Sequence, residues 1–77
     1  MKAYFYDVKR RQVSSSTIKS TGYDPGRGIL EIEFTSGEVY RYHEVPPYHF
    51  AGLLNAPSKG KYYNKYIKEF YSFSGPL

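Results

Sequence analysis

The chain contains no cysteine and no tryptophan. Without thiols it can form neither a disulfide scaffold nor a thiolate zinc site, which agrees with a reducing, cytoplasmic setting. No apolar run approaches the roughly 20 residues that a membrane helix needs, so no membrane partner is expected. The opening Met1-Lys2-Ala3-Tyr4 soon becomes charged and does not read as a secretory signal. The two histidines, His43 and His49, sit in no His-Glu-x-x-His pattern, and neither a metal nor another cofactor is called for. A Walker-type phosphate loop and a Gly-x-Ser-x-Gly elbow are also missing. No convergent acid–base set can be assembled, because Glu31 and Glu33 are expected to face solvent. The expectation is therefore a protein that is not an enzyme.

Tyrosine is what the chain has in abundance, at ten of 77 residues. Its ring is apolar and its hydroxyl wants a partner, so it suits core edges and wet binding surfaces equally. Most of the tyrosines lie between Tyr40 and Tyr71, interleaved with Lys59, Lys61, Lys65 and Lys68. The net charge is +4. Lys2, Lys9, Arg10 and Arg11 crowd the start, the four lysines crowd the end, and Glu31, Glu33, Glu38 and Glu44 occupy the middle. Basic ends around an acidic middle predict one positive face.

At this length a single small-core domain is expected. Residues 1–12 read as an aromatic and basic arm, with Tyr4, Phe5 and Tyr6 placed to add an edge strand or to mediate self-association. A first strand follows Val13-Ser14-Ser15-Ser16-Thr17. Ile18 and Tyr23 have opposite parity, so a bulge is expected near Gly22. Asp24-Pro25-Gly26 is a turn. Leu30, Ile32 and Phe34 then alternate with Glu31 and Glu33 as a half-buried strand. A third strand spans Glu38 to Val45, with His43 an exposed residue on it.

A three-residue Thr35-Ser36-Gly37 loop with Gly37 left-handed sets the register of that hairpin. Tyr40 and Tyr42 then join Leu30 and Ile32 on one face, and Arg41 falls opposite Glu31. Val45-Pro46-Pro47 ends the sheet and starts a short helix carrying Phe50, Leu53 and Leu54. Pro57 breaks it, and Ser58 caps a second helix. There Tyr63, Tyr66, Ile67 and Phe70 form one apolar face, and Lys61, Lys65 and Lys68 share the other. Residues 72–77 read as an irregular tail. The fold class is α+β: a three-stranded antiparallel meander, with a possible fourth N-terminal strand, covered by two short helices.

Three features bear on binding. The Lys61, Lys65 and Lys68 stripe suits successive phosphates, though a solvated helix face carries lysines too. Ser58-Lys59-Gly60-Lys61 offers a helix N-terminus to an anion, or simply a serine cap. Tyr62 lies between the two faces, beside the lysines. Ser14-Ser15-Ser16 is read as local hydrogen bonding or an anion contact.

In order, Val13-Ser14-Ser15-Ser16-Thr17-Ile18, Gly22-Tyr23-Asp24, Gly37 and Tyr40-Arg41-Tyr42 resemble the KTSC domain. Val45-Pro46, Tyr48, Ala56, Ser58, Gly60, Tyr62-Tyr63-Asn64, Ile67 and Tyr71 continue the likeness over residues 13–71. Tyr63 stands where Phe is commoner in that family. The resemblance implies an association with lysyl-tRNA synthetase C-termini and hence with RNA. Residues singled out by this match and by charge are Ser15, Ser16, Tyr23, Arg41, Ser58, Lys59, Gly60, Lys61, Tyr62, Asn64, Lys65 and Lys68. The expected partner is RNA or a small anionic nucleotide. Rival readings are an oligomer that sequesters a small cyclic nucleotide, a protein-interaction domain using the aromatic arm, and a metal-independent ribonuclease using His43.

Overall fold

The hairpin register is where local sequence and tertiary structure meet most directly. In the computed structural model, which describes residues 8–77, strands β3 (Ile29–Phe34) and β4 (Val39–Tyr42) pair with Leu30 opposite Tyr42, Glu31 opposite Arg41 and Ile32 opposite Tyr40. The loop closes through Phe34 N–H to Glu38 C=O at 2.9 Å and Gly37 N–H to Phe34 C=O at 2.8 Å. Gly37 takes φ of 99°, the left-handed conformation that such a loop requires. The three-residue turn is therefore as the pattern predicts.

Strand β2 (Ile18–Asp24) pairs antiparallel with β3, and its register shifts between Ile18 and Ser20. The predicted bulge is real but lies at Lys19, not near Gly22. An extra residue at that point lets Ile18 point into the core while Ser20, Gly22 and Glu31 share the other face. Gly22 serves a different purpose. A Cβ there would lie 2.2 Å from the Lys9 carbonyl oxygen, so glycine lets the preceding segment cross the strand closely.

That segment includes β1 (Arg11–Gln12), paired with Thr21 and Ser20 of β2. It supplies the fourth strand anticipated for the arm, while Tyr4, Phe5 and Tyr6 lie outside the described residues. β4 ends at Tyr42, shorter than predicted, because Glu44 adopts φ of 58° and turns the chain off the sheet. His43 accordingly falls just past the strand, where its Nε2 lies 2.8 Å from Ser74 Oγ.

Helices α1 (Pro47–Asn55) and α2 (Lys59–Tyr66) follow. Pro47 opens α1 at a position where its missing N–H costs nothing. Ser58 Oγ accepts from Lys61 N–H at 3.3 Å and caps α2 as expected. Leu53, Tyr63 and Ile67 descend from this layer onto Ile18, Leu30, Ile32 and Tyr42, forming the core. Contrary to the irregular tail expected from its Ser, Gly and Pro content, Phe73–Ser74 forms β5 against β4. Phe73 packs on Tyr40 and Tyr42, and Leu77 N–H reaches Val39 C=O at 2.8 Å. Among the described residues the sheet order is β1-β2-β3-β4-β5, all antiparallel, and the fold class is α+β.

Tyr63, where an extra hydroxyl enters the core, has its partner. The Tyr42 and Tyr63 hydroxyls are hydrogen-bonded to each other inside the core. Burial first, then the mutual bond, pushes the Tyr42 phenol well above its usual range, and burial raises Tyr63 as well. Tyr42→Phe and Tyr63→Phe are each expected to cost ~1–3 kcal/mol, because each strands one buried hydroxyl, whereas the double variant is nearly neutral. Urea unfolding of the four proteins measures this cycle. The raised phenols also set an alkaline limit. Their contribution is fully present below the unfolded value near pH ~10 and is lost as pH climbs toward the folded one, which the double variant abolishes.

Candidate nucleic-acid interface

The residues singled out from sequence divide between the two sides of the sheet. Arg41 lies on the face away from the helices, where its Nε is 2.5 Å from Glu31 Oε2. Arg10 bonds the other Glu31 oxygen and donates to Ser20 Oγ at 3.0 Å. Glu31, expected to face solvent, is consequently 3% exposed. It does point away from the helices, but two guanidiniums close over it. Arg41 thus belongs to an ion-pair cluster remote from the lysines.

Four other candidates have local structural partners. Ser15 Oγ accepts from Thr17 and Ile18 N–H, each at 3.1 Å, as a turn cap ahead of β2. Ser16 is exposed and its carbonyl accepts from Thr35 Oγ1 at 3.3 Å. Tyr23 donates to the Val45 carbonyl at 2.5 Å and stacks on Phe50 with centroids 5.3 Å apart. Gly60 is buried because α2 approaches Thr17 there, and a Cβ would come within 2.8 Å of Thr17 Oγ1. Its glycine serves close packing, not ligand approach.

The predicted apolar face of the second helix splits. α2 ends after two turns, where the N–H groups of Ile67 and Lys68 both turn to the Tyr63 carbonyl, at 3.0 and 2.9 Å. Tyr63 and Ile67 remain core, but Tyr66 is 40% exposed and Phe70 68%. Lys68, lying past the helix end, leaves the stripe, which reduces to Lys61 and Lys65. Lys59 Nζ donates to the Ala56 carbonyl at 3.1 Å and lines a separate groove with Arg11 and Asn55. Asn64 is exposed on α2 and lines none of the hollows described below.

What comes together is an aromatic surface across α1 and α2. Tyr62 lies against Gly52, where a Cβ would fall 2.1 Å from its hydroxyl oxygen. That hydroxyl is 3.1 Å from His49 Nδ1, so Tyr62 is a braced ring rather than a free one. Burial lowers His49, which keeps the imidazole neutral around pH 7, and burial raises the Tyr62 and Tyr71 phenols. Tyr66 packs beside Tyr62 with centroids 4.7 Å apart, and Lys65 Nζ sits 5.2 Å from the Tyr66 ring centre. Two hollows open here. One, of about 460 Å³, is lined by His49, Lys65, Tyr66, Phe70 and Tyr71. The other, of about 400 Å³, is lined by Ala56, Pro57, Ser58, Lys61, Tyr62, Lys65 and Tyr66.

Of the residues gathered here, Ser58, Lys61, Tyr62 and Lys65 were singled out from sequence and Tyr71 was left a surface ring, whereas His49, Tyr66 and Phe70 were missed. Helical periodicity placed Tyr66 and Phe70 in the core, and His49 carried no motif. The spacing of Tyr62 and Tyr66, four residues apart on one helix, was the available signal.

Fold and surface together define a small α+β domain with a cationic, ring-lined helical face. The sequence profile of the KTSC domain matches residues 14–71, and the chain belongs to that family. It is 48% identical over 61 residues to an uncharacterised protein of Stutzerimonas stutzeri, covering 79% of this chain and 86% of that one. It is also 48% identical over 58 residues to a lysine–tRNA ligase of Nostoc punctiforme, covering 75% of this chain but 10% of the ligase. The crystal structure of a KTSC domain protein from Yersinia pestis superposes with a TM-score of 0.85 at 37% identity, covering 88% of this chain and 96% of that one. Among the described residues no helix is long and apolar enough to cross a membrane, and no cluster of metal-ligating side chains occurs.

Proposed function

We propose that the chain is a non-enzymatic module that binds single-stranded RNA, gripping bases with exposed rings and phosphates with Lys61 and Lys65. The observation that carries this reading is the exposed Tyr66 ring, standing beside Lys65 at the edge of both hollows. Unpaired bases stack on aromatic faces, and lysines neutralise the backbone without sequence preference. Charge supports the same partner: between Val45 and Leu77 there are four lysines and one acidic residue, Glu69. Similarity to a segment of lysine–tRNA ligases fits an RNA partner, and a reducing cytoplasm suits the cysteine-free composition.

Fluorescence anisotropy with a short labelled single-stranded RNA at low salt tests the reading. Tyr66→Ala is expected to weaken binding by ~1–3 kcal/mol, the worth of one stacked base. Since Tyr66 is partly exposed, the variant should keep its melting temperature. Absence of RNA binding by the unmodified protein at low salt would overturn the proposal.

A further inference from the structure

We propose that this surface takes a dinucleotide step: two adjacent bases, one in each hollow, with their linking phosphate on Lys65. The inference rests on the RNA-binding reading and adds the size of the recognised unit. Its basis is the way the two hollows are joined. They share two lining residues, Lys65 and Tyr66. At about 460 and 400 Å³, each lies within the ~300–1,000 Å³ of typical small-ligand sites.

The chemistry of the two hollows differs in a way that fits successive nucleotides. The first is an open, mostly aromatic hollow lined by His49, Tyr66, Phe70 and Tyr71, suited to a planar base. The second has Tyr62 and Tyr66 as rings, with the Ser58 hydroxyl and Lys61 adding polar contacts. Tyr66 therefore lines both. Lys65 is the cation common to both, where the phosphate joining two bases would pass. Lys61 lies four residues away, about 6 Å along the helix axis, and meets a phosphate on the far side of the second base. His49 uses Nδ1 on Tyr62, and as a neutral ring it adds no charge to the first hollow.

The test measures affinity at fixed low salt for adenosine monophosphate, the dinucleotide ApA, and oligoadenylates of three, four and six residues. A rise of tenfold or more from monophosphate to dinucleotide is expected, then a smaller gain at three residues, where a second phosphate reaches Lys61, and little beyond that as registers multiply. The dinucleotide's salt dependence should have a slope near −0.7, that of one neutralised phosphate on a single strand. Phe70→Ala, which alters an exposed ring, and Lys65→Ala should each flatten the step between one and two nucleotides. Affinity that climbs evenly from one to six residues, or that is equal for one and two, overturns the dinucleotide unit and leaves RNA binding standing. Failure of every probe to bind at low salt overturns the RNA-binding reading itself.

Discussion

Replacing Glu31 with alanine is expected to destabilise the domain by ~3–5 kcal/mol, toward the lower end because both arginines keep partial contact with water. Glu31 is 3% exposed, and its two oxygens are held by Arg10 and Arg41. Removing the carboxylate leaves two guanidiniums facing each other over a buried gap. Total stability for 77 residues is on the order of 4–12 kcal/mol, so the variant should sit near its unfolding midpoint at modest urea concentrations. Pairing Glu31→Leu with Arg41→Met removes the carboxylate and one cation together, and should recover much of the loss. Urea unfolding followed by circular dichroism measures both. A cost below about 1 kcal/mol for Glu31→Ala would mean that the cluster behaves as an ordinary surface ion pair.

Leu53→Ala should cost ~2–5 kcal/mol, by lost burial and the cavity left behind. Leu53 is fully buried and is the buried residue of α1, the side chain that seats this helix on the sheet. The consequence reaches the proposed binding surface. α1 carries His49 and presents Gly52 to Tyr62, so a loosened α1 takes the brace from Tyr62 and one wall from the first hollow. RNA affinity should fall along with melting temperature, whereas Leu53→Met should cost less than about 1.5 kcal/mol and preserve binding. A Leu53→Ala protein that stays stable yet loses binding would separate the two roles and contradict this coupling.

Much of the architecture was legible from local pattern. Alternation over Leu30, Ile32 and Phe34 and the turn signal at Gly37 together left one sensible register, and Glu31 opposite Arg41 followed from it. Pro47 and Ser58 marked both helix starts. β5 was not legible, because Phe73–Ser74 is too short to show a period and is a strand only through its pairing with β4. The bulge was sensed from parity but misplaced, since glycine at position 22 offered an explanation that really belonged to the crossing of Lys9.

The candidate surface was legible only in part. Lys61, Lys65 and Tyr62 were found from charge and spacing, while Ser15, Tyr23, Arg41 and Gly60 have structural partners instead. Periodicity overextended the second helix by a turn, which placed Phe70 in the core and Lys68 on the stripe. Tyr66, the last residue of α2, was expected in the core with Tyr63 but instead packs beside Tyr62 on the exposed side.

Local pattern was enough for the fold class, the central hairpin, the starts of both helices and the cationic character of the C-terminal half. These depend on contacts between near neighbours, and near neighbours are written side by side. Tertiary packing was needed to show that Tyr66 is exposed while Tyr42 and Tyr63 are core, and that Glu31 is buried on the outer face. It alone showed that His49, Tyr66, Phe70 and Tyr71 meet around Lys65. Those outcomes depend on where α2 stops and on which distant segment crosses it or lies beneath it, and no local period encodes either.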